Sequence, residues 1–406
     1  MKNYKLHTSE GFNDTFGITM LIKEHIGNVC LKTFKSFGYE YIKTPTVEYI
    51  DVYLQNGAQK PNLYNLINHQ GEVLALCNDM TSSIARYVSA SNINEASKYC
   101  YLADTFRYPR LYQGKKHEFT QAGVEYVGGK GLNADAEIIY LANKVLKELN
   151  INDFTIHIGS ALFLDQLFKD FNLNDEQIIN IYSIIENKNY VELETYLLNS
   201  LSEEDAKFIF EIILKGGRLN YIEKLINNLN NKKSCDELKY LKDVYSLLKQ
   251  FNVENIIFDF SIFPYANYYS GLIFEIYVDE AKKSVATGGR CDIFKHFDKN
   301  LTDIGFGIDV DVLTTYCLEH NLFSFKKSKY LSFVNDDSFE FANKTNEEFR
   351  NKDIIVNNLE FESLEDALKF AKENEYDKVI SYSNNSFKLL EVWYANICFI
   401  KRKISR

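Results

Sequence analysis

The sequence predicts an α+β protein made of a mixed core, a helical insertion and a small C-terminal α/β unit. Strand-like, aromatic-rich segments at 105–128 and 271–278 flank a long helix-forming stretch at 162–253, and after about Ser324 strand and helix patterns alternate. At 406 residues, 46% hydrophobic and 15% aromatic, the chain is long enough for two or three domains and apolar enough to fill their cores.

Taken in order, Ile18, Ile22, Ile26, Val29 and Phe34 recur at helical spacing and Gly38 follows, so a first helix ends in a glycine cap. Residues 40–48 carry a β-branched, aromatic strand signature interrupted by Pro45, which fits a strand edge or a kink. A short helix is expected at 81–89 and a longer one at 133–149, with Asn133 as candidate cap and Ile138, Ala142, Val145 and Leu149 on one side. Phe154, Ile156 and Ile158 alternate with Thr155 and His157, a half-buried strand whose histidine reads as a surface or satisfied group rather than a ligand.

From 162 to 253 the chain is rich in Leu, Ile, Asn, Glu and Lys and broken only at 215–218, the mark of a helical insertion. Strand signals return at 256–260 and at 271–278, where Leu272, Phe274, Ile276 and Val278 alternate with Ile273, Glu275 and Tyr277. Gly288 and Gly289 then enter a sheet, a pair that permits close approach of backbone or ligand. The last part reads strand 330–334, helix 339–350, strand 353–356, helix 363–373, strand 378–382, a βαβ-type domain with a parallel sheet and no phosphate-binding glycine loop. The expected division is a core formed by 1–160 and 254–324, an insertion at 161–253 and a final domain at 325–406.

Composition excludes several classes. A formal net charge of -10 and a pI near 5.4 provide no global positive field for nucleic acid. Seven cysteines are scattered without Cys-x-x-Cys spacing, which points to a reducing cytoplasm and away from zinc or a disulfide framework. No basic-then-apolar leader is visible and no apolar run approaches the roughly 18 residues of a spanning helix, so a cytoplasmic protein without a membrane partner is expected. The basic residues within 401–406 read as a solvated end.

Residues 105–128 are the first place to look for a ligand. They read as two short strands around a charged loop, with Arg107, Gln121 and Glu125 inside otherwise strand-like sequence. A guanidinium and a carboxylate on a sheet face are costly to bury unless something pairs them. Arg107 could grip a carboxylate through its planar fork, and Gln121 and Glu125, four residues apart, share one face of a strand. Together they could frame a zwitterion; the competing reading is a sheet whose charges face solvent or each other.

Seven segments, in order, resemble the histidyl-tRNA synthetase branch of the class II aminoacyl-tRNA synthetase fold. They are 10–14 (EGFND), 37–48 (FGYEYIKTPTVE), 76–81 (LCNDMT), the stretch 105–128, 268–275 (YYSGLIFE), 288–292 (GGRCD) and 304–308 (IGFGI). The resemblance implies an antiparallel sheet with flanking helices, a dimer interface at the Pro45 strand, and a histidine pocket formed by Asp79, Thr81, Arg107, Gln121, Glu125, Tyr268 and Tyr269. Arg107 and Gln121 would then meet the carboxylate end, Asp79 and Thr81 the ammonium, and Glu125 with Tyr268 or Tyr269 the imidazole.

On the nucleotide side the chain departs from that pattern. Pro109 stands where an acidic residue reads adenine, Pro264 where a catalytic arginine precedes the paired tyrosines, and Val312 where the ATP-binding arginine of the last motif belongs; Lys115 and His117 replace loop arginines. Adenylation depends on fixed cations at an in-line phosphoryl centre, so no catalytic residues, cofactor or metal are expected. The pattern is similar to the family's regulatory branch, the regulatory subunits of ATP phosphoribosyltransferase. That branch implies a short catalytic subunit as partner, self-association as a dimer within a hetero-oligomer, histidine as effector and no tRNA. From Phe325 to Arg406 the 14 Lys and Arg equal the 14 Asp and Glu, unlike a tRNA-reading surface. The alternatives are a divergent histidine-tRNA ligase and a synthetase-like paralogue that uses ATP to make some other amide.

Overall fold

The first helix, α1 (Gly17–Ser36), turns Ile22, Ile26, Cys30 and Phe34 inward, while Ile18 is exposed. It stops where Gly38 takes a left-handed φ of 82° and its N–H bonds back to the Lys35 carbonyl at 3.0 Å, a conformation that favours glycine. The structure is a computed structural model that describes residues 4–54, 63–108, 116–229, 232–262, 269–279, 283–325, 327–334, 338–384 and 386–392. The chain divides into two compact units, Met1–Phe323 and Ser324–Arg406.

Next come β1 (Glu40–Tyr41) and β2 (Val47–Tyr49), which lie on either side of Pro45. A single strand interrupted by proline was one expectation. The structure instead sends the two pieces into different sheets, because the chain bends where proline offers no N–H for a ladder. After α2 (Asp51–Leu54), strands β3 (Asn65–Ile67) and β4 (Val73–Leu76) form with β2 an antiparallel sheet of order β2-β4-β3. Helix α3 (Met80–Ala90) follows, then β5 (Ser97–Phe106) and β6 (Glu118–Val127), each ten residues long and longer than the short strands expected.

Helix α4 (Gly131–Glu148) starts two residues before the expected cap. Gly131, at φ 71°, turns the chain into the helix, so Asn133 sits within the first turn and caps nothing. Strand β7 (Phe154–Ser160) leads into α5 (Ala161–Asp170), α6 (Asp175–Glu186), α7 (Tyr190–Ser200), α8 (Glu203–Leu214), α9 (Leu219–Asn228) and α10 (Ser234–Gln250). Side chains of Ser160, Asn174, Asn189 and Ser202 accept backbone N–H groups at the starts of α5 to α8, the residue types that favour that position.

The chain returns through β8 (Ile256–Phe258), β9 (Tyr269–Val278), β10 (Ala286–Cys291), β11 (Asp303–Asp309) and α11 (Val310–Glu319). The large sheet has order β1-β5-β6-β11-β10-β9-β7-β8, antiparallel except for the parallel pairs β1/β5 and β7/β8 at its edges. One face is apolar: Val124, Phe306, Phe274 and Ile158 are fully or almost fully buried there, and Phe34 of α1 meets Phe306 edge-on at 5.7 Å. The other face carries the polar groups described below.

In the second unit, β12 (Lys329–Val334), α12 (Phe339–Arg350), β13 (Ile355–Asn358), α13 (Leu364–Glu373), β14 (Lys378–Ser383) and β15 (Ser386–Glu391) form a sheet of order β13-β12-β14-β15. Strands β12, β13 and β14 are parallel, as the alternation implies. The antiparallel β15 was not foreseen, because a strand exposed along most of its length shows no core-facing alternation. Separate apolar clusters, one containing Ala367 and Ala371 of α13 and one containing Ala342 of α12, cover its two faces.

Candidate functional site

Residues directly opposite one another in an antiparallel sheet point to the same side, and so does every second residue along each strand. The registers of β5, β6, β11, β10, β9 and β7 therefore stack four rows on the polar face. The first is Ala103, Gln121, Asp309; the second Tyr101, Gly123, Gly307, Thr287, Glu275, His157. The third is Tyr99, Glu125, Gly305, Gly289, Ile273, Gly159, and the fourth Ser97, Val127, Asp303, Cys291, Tyr269. Four of the six positions in the middle of the second and third rows on β6, β11 and β10 are glycine, which clears space above the sheet.

Glu125 and Gln121 fill part of it. A Cβ at Gly305 would overlap the Glu125 carboxylate, and one at Gly307 would overlap the Gln121 amide, so these glycines let both side chains lie flat. Helix α3 covers the third and fourth rows with Met80, Ile84, Ala85 and Val88, and its start reaches Glu125: Thr81 Oγ1 donates to Glu125 Oε1 at 2.6 Å. Asp79 caps α3 by accepting from Thr81 N at 3.3 Å and from Ser82 N at 3.2 Å. The Glu125 carboxyl is 3% exposed, and burial, then the neighbouring Asp303 carboxyl, raise it well above the usual carboxylate range. Tyr269 packs on the apolar cluster under α3, where burial keeps its hydroxyl protonated.

Beyond Glu125 the first and second rows open into a cleft of about 360 Å³. Arg107, Gln121, Thr287, Gly307, Glu275 and Asp309 line it, joined by Lys188 from the α6–α7 turn and Lys283 from the approach to β10. Arg107 lies just past the end of β5, its Nε donating to the Asn78 carbonyl at 3.2 Å and its guanidinium 4.9 Å from the Phe119 ring centre. Burial raises both the Glu275 and the Asp309 carboxyls. The cleft thus mixes cations with acids and suits a zwitterion or a polar small molecule better than a run of phosphates.

The structure therefore groups Asp79, Thr81, Glu125 and Tyr269 under α3 and puts Arg107 and Gln121 in the adjoining cleft; Tyr268 lies outside the described residues. So do Pro109, Lys115 and Pro264. Val312 sits in the first turn of α11, its N–H donated to Asp309 Oδ1 at 2.9 Å. His117 is almost fully buried: its N–H donates to the Gly11 carbonyl at 3.0 Å, its ring meets the Tyr64 hydroxyl, and Phe12 and Tyr108 stack edge-on against it. His157 is satisfied by Asp259, with Nδ1 at 2.8 Å from Oδ2. Among the described residues no cluster of three or more His, Cys, Asp or Glu could hold a metal ion, and no helix is long and apolar enough to cross a membrane.

Sequence reasoning did not single out Lys188, Lys283 or Asp303. Lys188 belongs to a helical stretch with no local sign of facing a sheet. Asp303 and Asp309 bracket the apolar run Ile304, Gly305, Phe306, Gly307, Ile308, and acids at the ends of a strand ordinarily read as solvent-facing.

The histidyl-tRNA synthetase family model matches residues 11–313. Among curated proteins, the chain is 31% identical to an ATP phosphoribosyltransferase regulatory subunit of Clostridium botulinum over 94% of its length and 93% of the relative's. It is 34% identical to one from Caldanaerobacter subterraneus over 75% of this chain and 81% of that protein. A solved structure described as an ATP phosphoribosyltransferase regulatory subunit/histidyl-tRNA synthetase from Bacillus halodurans C matches with a TM-score of 0.82 at 25% identity, covering 94% of this chain and 99% of that one.

Proposed function

Because the chain belongs to the histidyl-tRNA synthetase family, in its branch of ATP phosphoribosyltransferase regulatory subunits, we propose that it assembles with a short catalytic subunit and makes the first step of histidine biosynthesis responsive to histidine. Its own role is regulatory rather than catalytic. The observation that carries this reading is the inequality of the two halves of the site. The amino-acid half is organised around the Thr81–Glu125 hydrogen bond, whereas the first turn of α11 offers the apolar Val312 and the acidic Asp309 cap where adenylation calls for a fixed cation.

In this reading Arg107 and Gln121 meet the carboxylate of histidine, Asp79 and Thr81 its ammonium, and Glu125 with Tyr269 or Tyr268 its imidazole. Bound histidine must interact differently with the active and inactive assemblies to convey inhibition. Exposed Val47, Tyr49 and Leu66, which share one face of the three-stranded sheet, support self-association of that face about a twofold axis.

The test is reconstitution with the short catalytic subunit, following phosphoribosyl-ATP formation. A complex should form, activity should exceed that of the catalytic subunit alone, and histidine should depress it. Absence of both complex and gain would sink the assignment. In a parallel ATP-pyrophosphate exchange assay no histidine-dependent exchange is expected; its appearance would instead identify a divergent histidine-tRNA ligase. Glu125→Ala should weaken histidine binding by about tenfold or more, the worth of a charge-assisted hydrogen bond. Unchanged affinity in calorimetry would move the effector site to a subunit interface.

A further inference from the structure

We propose that Asp303 is a positioning residue of the histidine pocket: it shares one proton with Glu125, so that the pair meets the effector's imidazole as one acid of single negative charge. The inference rests on the reading of Glu125 as an imidazole partner. It adds a residue from a different strand and a protonation state to that site.

Glu125 and Asp303 occupy adjacent rows on the same face of β6 and β11, and only 3% and 1% of their surfaces are exposed. Among the described residues no N–H or O–H donor reaches Asp303 Oδ1. The Cys291 thiol, a weak donor, has its Sγ 3.9 Å from Oδ2. Two buried carboxylates side by side cannot both stay ionised, and a hydrogen bond between them requires a proton on one. Burial raises both carboxyls, so near neutrality the pair holds one proton and one negative charge between them.

The groups around the pair do not cancel that charge. Burial pushes Tyr101 of β5, Tyr269 of β9 and Cys291 of β10 up, as it does Cys77 just beyond β4, so all four are neutral. Asp79, at the start of α3, already accepts the first N–H groups of that helix. Arg290 of β10 attracts the Asp303 charge from a distance, but its own bonds go to Asp135 and the Gly129 carbonyl. Thr81 fixes the second oxygen of Glu125. A lone negative charge set among Met80, Ile84, Val127 and Phe294 costs stability in the empty protein, and such a cost persists where a ligand needs the charge. An imidazole that is protonated, or that donates an N–H, is the complementary partner.

The sign of the pH effect follows. Between about 4, the ordinary aspartate value, and the raised folded value, the folded protein binds more protons than the unfolded chain, so stability from this pair falls as pH rises. Asp303→Asn should therefore raise the melting temperature at pH 8 by about 2 °C or more, and the gain should vanish toward pH 5. In calorimetry with L-histidine, Asp303→Asn and Glu125→Gln should each weaken binding at least tenfold, and the double variant should be no weaker than the weaker single one, as for two groups acting as a unit. A lower melting temperature for Asp303→Asn at pH 8, or histidine affinity equal to the wild type, would overturn the proposal. If the wild type itself fails to bind histidine, the pocket reading falls and this inference with it; if the wild type binds and the Asp303 variant binds equally, only this inference falls.

Discussion

Gly305→Ala is expected to remove histidine binding and to lower stability by about 1–3 kcal/mol, the usual range for overfilling a packed site. A methyl group at 305 would overlap both the Glu125 carboxylate and the backbone carbonyl of Val124. Glu125 could swing aside, at the loss of its bond from Thr81, but Val124 belongs to the β6 ladder that pairs with β11 and cannot retreat without opening the sheet. Gly307→Ala is the contrasting control. There the three nearest atoms all belong to the Gln121 side chain, its amide first, and that side chain can move into the cleft. It should cost less stability while still weakening histidine binding. Urea unfolding and histidine calorimetry on the two variants provide the comparison. Wild-type affinity in Gly305→Ala would show that the Glu125 carboxylate takes no part in binding.

Arg290→Ala should be the most damaging single change to stability. The Arg290 guanidinium pairs with Asp135 of α4, whose side chain is fully buried, and donates to the Gly129 carbonyl at 2.7 Å. Tyr240 of α10 donates to the other Asp135 oxygen at 2.7 Å, so one carboxylate ties the β10 strand to the helical insertion. Breaking a buried ion pair from one side leaves an uncompensated charge and costs about 3–5 kcal/mol. Burial already outweighs Arg290 and holds the Asp135 carboxyl above its ordinary value. Without the guanidinium it should rise further. The deficit of the variant should then be largest at pH 8 and shrink as the pH falls and Asp135 takes up a proton. Urea midpoints at pH 8 and pH 5.5 test this, and a pH-independent loss of under about 1 kcal/mol would mean that solvent replaces the guanidinium.

Local signals were legible wherever one residue type decides the backbone. Gly38 ends α1 because it can take a left-handed φ, and the alternation of Phe154, Ile156 and Ile158 appears in β7 with those three buried. Signals that depend on distant partners were not. Pro45 was readable as an interruption, but not as the point where β1 and β2 part into separate sheets. Gly131, not Asn133, starts α4, since glycine there replaces a side-chain cap by a turn of the backbone. At the site, Glu125 and Gln121 were visible from their spacing. Thr81 was named for the pocket through the resemblance but not as the partner of Glu125, and neither Gly305 and Gly307 beneath these side chains nor Asp303 was singled out.

The sequence by itself determined the chemical inventory: an acidic chain with Arg107, Gln121 and Glu125 set into strand-like sequence, and Val312 just after the last glycine-rich strand segment of the first unit. Only the tertiary structure decided which of those groups share a face. Register across β5, β6, β11, β10, β9 and β7 is set by pairing between residues as far apart in sequence as Gln121 and Asp309, and a slip of one residue would turn every side chain of a strand to the other side. That register puts Asp303 within reach of Glu125, and so joins an acid the sequence marked to one it did not in a single buried pair.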